Sequence, residues 1–151
     1  MRFEYDDGGR ELSGYKGKTG DCVTRAIAIA TGKSYQEVYN AINQIAEFEK
    51  PSKRRRGKSN ARTGVHKPTY RTYLDSLGFK WVPTMFIGQG CKVHLKEKEL
   101  PVGRLIVAVS KHLVAVIDGV IHDTHDCSRG ETRCVYGYFR TGDGEVCKND
   151  K

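Results

Sequence analysis

The stretch "HLVAVIDGVIHDT", residues 112–124, constrains the fold more than any other part of this chain. Two β-rich runs are separated by Asp118-Gly119, a pair suited to a turn that needs positive φ at both central positions. Such a type I′ turn makes the runs antiparallel neighbours and sets their register. Ile117 then pairs with Val120, Val114 faces Asp123 and His112 faces His125. Period-two alternation puts His112, Val114, Val116, Ile121, Asp123 and His125 on one face, with His122 and Thr124 on the other. Asp123 becomes the diagonal neighbour of His112, within hydrogen-bonding reach on a twisted pair of strands.

An imidazole held by a carboxylate is the base half of a Cys–His–Asp site, so the cysteines become the next question. There are five, an odd number with irregular spacing and no CxxC pair, which argues against a disulfide framework and for reduced thiols. Cys22 differs from the others in context. "CVTRAIAIAT", residues 22–31, has Val23, Ala26, Ile27 and Ala30 at helical spacing, Asp21 as a candidate N-cap and Gly32 as a stop. A thiol at a helix N-terminus is acidified by the free N–H groups and the partial positive charge there. Taken alone, Cys22 reads as a small buried core residue. Set beside His112 and Asp123, it reads as a nucleophile with base and orienting acid: Cys22, His112, Asp123. Asp126 competes with Asp123 for the orienting role, and His125 competes with His112 as base.

The rest of the chain supplies the frame. "SYQEVYNAINQIAEFEK" begins with a Ser34/Glu37 capping box and carries an apolar stripe through Val38, Ala41, Ile42, Ile45 and Ala46, with Pro51 as a terminator. A third helix is expected from Pro68 to Leu77, ended by Gly78, with "FKWV" as a short strand after it. "RLIVAV", "HLVAVI", "VIHDT" and "CVYGYF" are the remaining strands, and Ser110-Lys111 is a weaker turn between the first two of these. Both faces of those first two are apolar, which predicts a sheet covered on both sides. Residues 1–20 read as an extended or irregular lead-in. The expected architecture is one α+β domain over 1–151, helices first, packed on an antiparallel sheet.

The formal charge of +8 favours acidic partners, and a large share of it lies in "KPSKRRRGKSNARTGVHK", about 50–67, which reads as a basic loop insertion. Lys53, Arg54, Arg55, Arg56 and Lys58 are the residues through which an acidic partner or nucleic acid would bind. A solvated loop is the simpler reading, because no nucleic-acid signature accompanies it. No apolar run approaches the length of a membrane helix and no secretory h-region is visible, so a cytoplasmic location and no membrane partner are expected. "HDTHDC" with Cys134, and more loosely Cys91 and His94, offers ligand types that zinc accepts. His122 and His125 point to opposite faces of a regular strand, which argues against shared ligation.

A cysteine opening the first helix, a histidine starting a later strand and an Asp on the next strand resemble the papain-like cysteine peptidase superfamily. Within it, "HLVAVIDGVIHDTHD" is similar to the hairpin of the bacteriocin-processing peptidases. Its pairing with "GDCVTRAIAIATGKSYQEVYNAI" also resembles small proteins encoded by bacteriophages and their hosts. The resemblance spans most of 21–126 and leaves the basic loop as an insertion. It implies a papain-like fold, a peptide or protein substrate, thiol hydrolysis of a peptide or isopeptide bond, no cofactor and, for a phage protein, a host-cytoplasm location. Deamidation, acyl transfer, or a degenerate site serving as a binding module use the same frame. The family carries a Gln about six residues before the cysteine as oxyanion donor. Here that neighbourhood is "GYKGKTG", and Lys16 and Thr19 are the substitutes at hand.

Overall fold

In a computed structural model, which describes residues 1–17, 19–50 and 57–141, the chain runs β1 (Arg2–Tyr5), α1 (Cys22–Thr31), α2 (Tyr35–Ala46), α3 (Lys67–Ser76), β2 (Phe79–Pro83), β3 (Arg104–Val109), β4 (His112–Ile117), β5 (Val120–Asp123) and β6 (Gly137–Thr141). The result is a mixed α+β fold. Its six strands form one sheet in the order β1-β5-β4-β3-β6-β2.

The hairpin obeys its turn chemistry. Asp118 and Gly119 have φ of 49° and 81°, and Ile117 pairs with Val120, Val116 with Ile121 and Ala115 with His122. Val109 pairs with His112 across the second turn, where Lys111 takes a φ of 58°. β3 and β4 are buried on both faces. On one face Ile106, Leu113, Ala115 and Phe139 pack against Ile27 of α1, Val38 and Ile42 of α2 and Leu74 of α3. On the other, Val107, Val114, Val116 and Ile121 are covered by Leu95, Leu100, Cys127 and Val135 from the connecting segments. Each fully buried Val, Leu or Ile contributes about 1.5–3 kcal/mol, so two closed layers fix α1 firmly against β4.

Four expectations need correction. The sheet is mixed, not wholly antiparallel, because the first residues of the expected lead-in form β1, parallel to β5, with Arg2 opposite Val120 and Tyr5 opposite Asp123. The last strand starts at Gly137 rather than Cys134; it inserts between β3 and β2, and residues 134–136 are spent on joining the 84–95 segment. Cys91 and Cys134 form a disulfide rather than two free thiols: backbone bonds from Leu95 N to Arg133 O and from Val135 N to Val93 O bring them together. Asp21 precedes α1 but makes no side-chain cap. By contrast, Ser34 Oγ accepts from Glu37 N at 3.1 Å and starts α2 as its sequence predicts.

Candidate active site

His112 opens β4 and Asp123 closes β5, so antiparallel pairing places both at the same end of the sheet. His112 Nε2 lies 2.7 Å from Asp123 Oδ2. That leaves Nδ1 as the ring nitrogen for a second partner. α1 packs over β4 and starts at this end, bringing the Cys22 thiol to His112. Burial alone would push the thiol up. The hydrogen bond and charge of His112, the Leu113 backbone and the Arg25 charge outweigh it and hold Cys22 below its ordinary value of 9.0. The imidazole shows the reciprocal effect. Burial works against its charge, yet hydrogen bonds to Asp123, Cys127 and Cys22 and the charge of Cys22 push it up to about 11. Both shifts run in the direction that favours a thiolate–imidazolium pair.

Asp123 is held below the usual carboxylate range. Burial opposes this, but the His112 hydrogen bond and charge, the Thr124 N–H and the Arg25 charge prevail. Its two oxygens have separate duties. Oδ2 faces His112, while Oδ1 accepts from Arg25 Nη1 at 2.5 Å and Thr124 N at 2.7 Å. Arg25 is only 6% exposed and also donates from Nε to Asp21 Oδ1 at 2.9 Å. Asp21, fully buried, further receives Arg10, Arg62 and the Tyr35 hydroxyl. Its carboxylate therefore ties the lead-in, α1, α2 and the 57–67 segment together rather than capping the helix.

Cys22 and His112 line a cleft of about 530 Å³ whose walls include Val23, Val65, Tyr70, Trp81 and Tyr136. Among the described residues no acidic side chain lines it, whereas Lys67 and Lys111 do, and neither pairs with a carboxylate there. Two glycines shape the cleft by omission. A Cβ on Gly20 would meet the Thr63 carbonyl at 2.7 Å, and one on Gly137 would meet the Trp81 ring at 2.5 Å. Cys127 also reaches His112 but is buried, so Cys22 is the thiol open to the cleft.

The remaining candidates fall elsewhere. Thr19 spends its hydroxyl on the Arg62 carbonyl at 2.8 Å, Lys16 is exposed, and neither lines the cleft. Asp126 accepts from Ser128 N and Oγ, so it is occupied away from His112. His125 is exposed with its ring centroid 5.3 Å from that of His112. The ligand atoms of His112, Asp123 and His125 lie within 4.8 Å of one another, a grouping that differs from the zinc set weighed on sequence. That set is dispersed: Cys134 is in the disulfide and His122 Nδ1 lies 3.9 Å from Asp6. Lys53, Arg54, Arg55 and Arg56 lie outside the described residues, and Lys58 Nζ donates to the Glu47 carbonyl at 3.1 Å. Among the described residues no helix is long and apolar enough to cross a membrane.

Sequence reasoning passed over Arg25. One signal was present: Asp21 and Arg25 stand at i,i+4 with the acid first, the favourable orientation for a helical ion pair. Comparison of the chain with family models, with curated proteins and with solved structures finds no match.

Proposed function

We propose that this protein is a papain-like thiol hydrolase that cleaves a peptide or isopeptide bond with Cys22 as nucleophile, His112 as general base and acid, and Asp123 as the group orienting His112. The observation that carries the reading is the continuous contact from a cleft-lining thiol through His112 to Asp123. A thiolate beside an imidazolium attacks a carbonyl without a prior proton transfer. The C–S bond forms, the carbonyl electron pair moves to oxygen, and collapse expels the amine, which takes the His112 proton. The neutral imidazole then removes a proton from water, and the hydroxide releases the acyl group as a carboxylic acid and restores the thiolate.

The test is hydrolysis of a fluorogenic peptide library by the wild-type chain and by Cys22→Ala, His112→Ala and Asp123→Asn. The reading expects cleavage that vanishes in Cys22→Ala and His112→Ala and weakens in Asp123→Asn. A thioester adduct on Cys22 should be visible by mass spectrometry under acid quench. Cleavage equal in wild type and Cys22→Ala, or no adduct and no cleavage by wild type, rejects it.

A further inference from the structure

The Cys22 thiolate needs a place for the charge that develops on the carbonyl oxygen. The start of α1 offers one part of it, since the first N–H groups of a helix have no intrahelical acceptor. Neither lead-in side chain considered as a second donor serves: the Thr19 hydroxyl is engaged and Lys16 does not line the cleft. Tyr70, on α3, meets the need. Tyr70 lines the same cleft as Cys22, is 9% exposed, and its hydroxyl has no hydrogen-bond partner among the described residues. Its oxygen is not among the buried polar atoms left without a partner, so the hydroxyl opens to the cleft while the ring is packed. The ring itself is well seated, edge-on to Phe139 at 6.1 Å, so the hydroxyl is presented by a rigid element rather than a loop.

We infer that the Tyr70 hydroxyl is the second oxyanion donor, acting with the Cys22 backbone N–H on the oxygen of the tetrahedral intermediate. The inference rests on the thiol-hydrolase reading and supplies a donor that Lys16 and Thr19 do not. Burial, and to a smaller degree the charge of Cys22, push the phenol above its ordinary value of 10.0, with Arg71 opposing, so it stays protonated and able to donate at neutral pH. Trp81 is the competing donor on the same wall, with Arg71 over its ring at 4.9 Å.

The two roles of the site separate with two probes. p-Nitrophenyl acetate acylates a thiolate through an oxyanion and releases p-nitrophenolate; chloroacetamide alkylates the same thiolate by displacing chloride, with no oxyanion. Tyr70→Phe removes only the hydroxyl and keeps the ring packing. The expected result is acylation slowed by about 10²–10³-fold, as for the loss of one oxyanion donor, with the chloroacetamide rate at Cys22 unchanged. Acylation by Tyr70→Phe at the wild-type rate overturns the assignment, as does a loss seen in Trp81→Phe but not in Tyr70→Phe. Equal slowing of both probes overturns it too, because that pattern marks a structural effect on the thiolate. If wild type gives no p-nitrophenolate burst beyond Cys22→Ala, the thiol-hydrolase reading itself fails and this inference with it.

Discussion

Replacing His112 by Ala removes the group that acidifies Cys22 and leaves burial opposed only by the Leu113 backbone and Arg25. The sign follows directly: wild-type Cys22 lies below 9.0, and the variant's thiol rises toward that value or past it. A thiol at 9.0 is about 1% ionised at pH 7, and each unit below that value raises the ionised share about tenfold while the thiol stays mostly protonated. Lower pKa also means weaker intrinsic nucleophilicity, by about threefold per unit, so the net gain in rate is about threefold per unit. The net expectation is that chloroacetamide labels Cys22 at least about threefold more slowly in His112→Ala at pH 7. The difference should shrink as pH rises to 9 and the variant ionises. The assay is peptide-mapped mass spectrometry of Cys22 after timed labelling across pH 5–10, which keeps Cys91, Cys127, Cys134 and Cys147 separate. Superimposable pH–rate curves for the two proteins would refute the claim that His112 governs the thiol.

Arg25→Met takes a guanidinium from between two buried carboxylates, and breaking such a contact costs about 3–5 kcal/mol; urea unfolding should show a loss toward the lower end, since Asp21 keeps Arg10, Arg62 and Tyr35. Gly137→Ala should displace the one tryptophan, Trp81, from β6; its fluorescence should shift and stability should fall by about 1–3 kcal/mol, as for other overpacked sites. Lys67 and Lys111 should make the cleft favour anions, so reversing either to Glu should slow iodoacetate at Cys22 by about two- to fivefold at low salt while sparing iodoacetamide.

The parts of this fold that were legible are those whose local chemistry admits one geometry. Asp118-Gly119 demands positive φ twice, and that single turn carried the register as far as Ala115–His122. Ser34 before an amphipathic stripe marked α2 for the same reason. β1 was hidden although Arg2-Phe3-Glu4-Tyr5 alternates polar and aromatic: four residues are too few to show a period, and at the sheet edge all four are exposed. The start of β6 was blurred because Cys134, Val135 and Tyr136 are as β-prone as the strand that follows, and Gly137 weakens the pattern at its first position. The Cys91–Cys134 pairing depends on the tertiary path of two connecting segments, which spacing does not encode. His112 and Asp123 were found through face parity, yet their meeting with Cys22 owes as much to their place at one end of the sheet. Arg25 escaped because a charged residue within a helix is ordinarily read as facing solvent. Its burial follows only once Asp21 and Asp123 converge on it from different parts of the chain.

The buried Asp21 carboxylate has a kinetic corollary. It gathers arginines from the lead-in, from α1 and from the segment before α3, and through Arg25 it reaches the end of β5. Only the Arg25–Asp21 link closes locally; Arg62 reaches Asp21 across 41 residues and Arg25 reaches Asp123 across 98, so these two must wait for long-range loop closure. A chain diluted out of denaturant should therefore regain helical circular dichroism well before Cys22 becomes hyper-reactive. Thiol reactivity would then serve as a clock for the final docking of α1 on the sheet, and a nascent chain would carry an inert cysteine until β5 has been made.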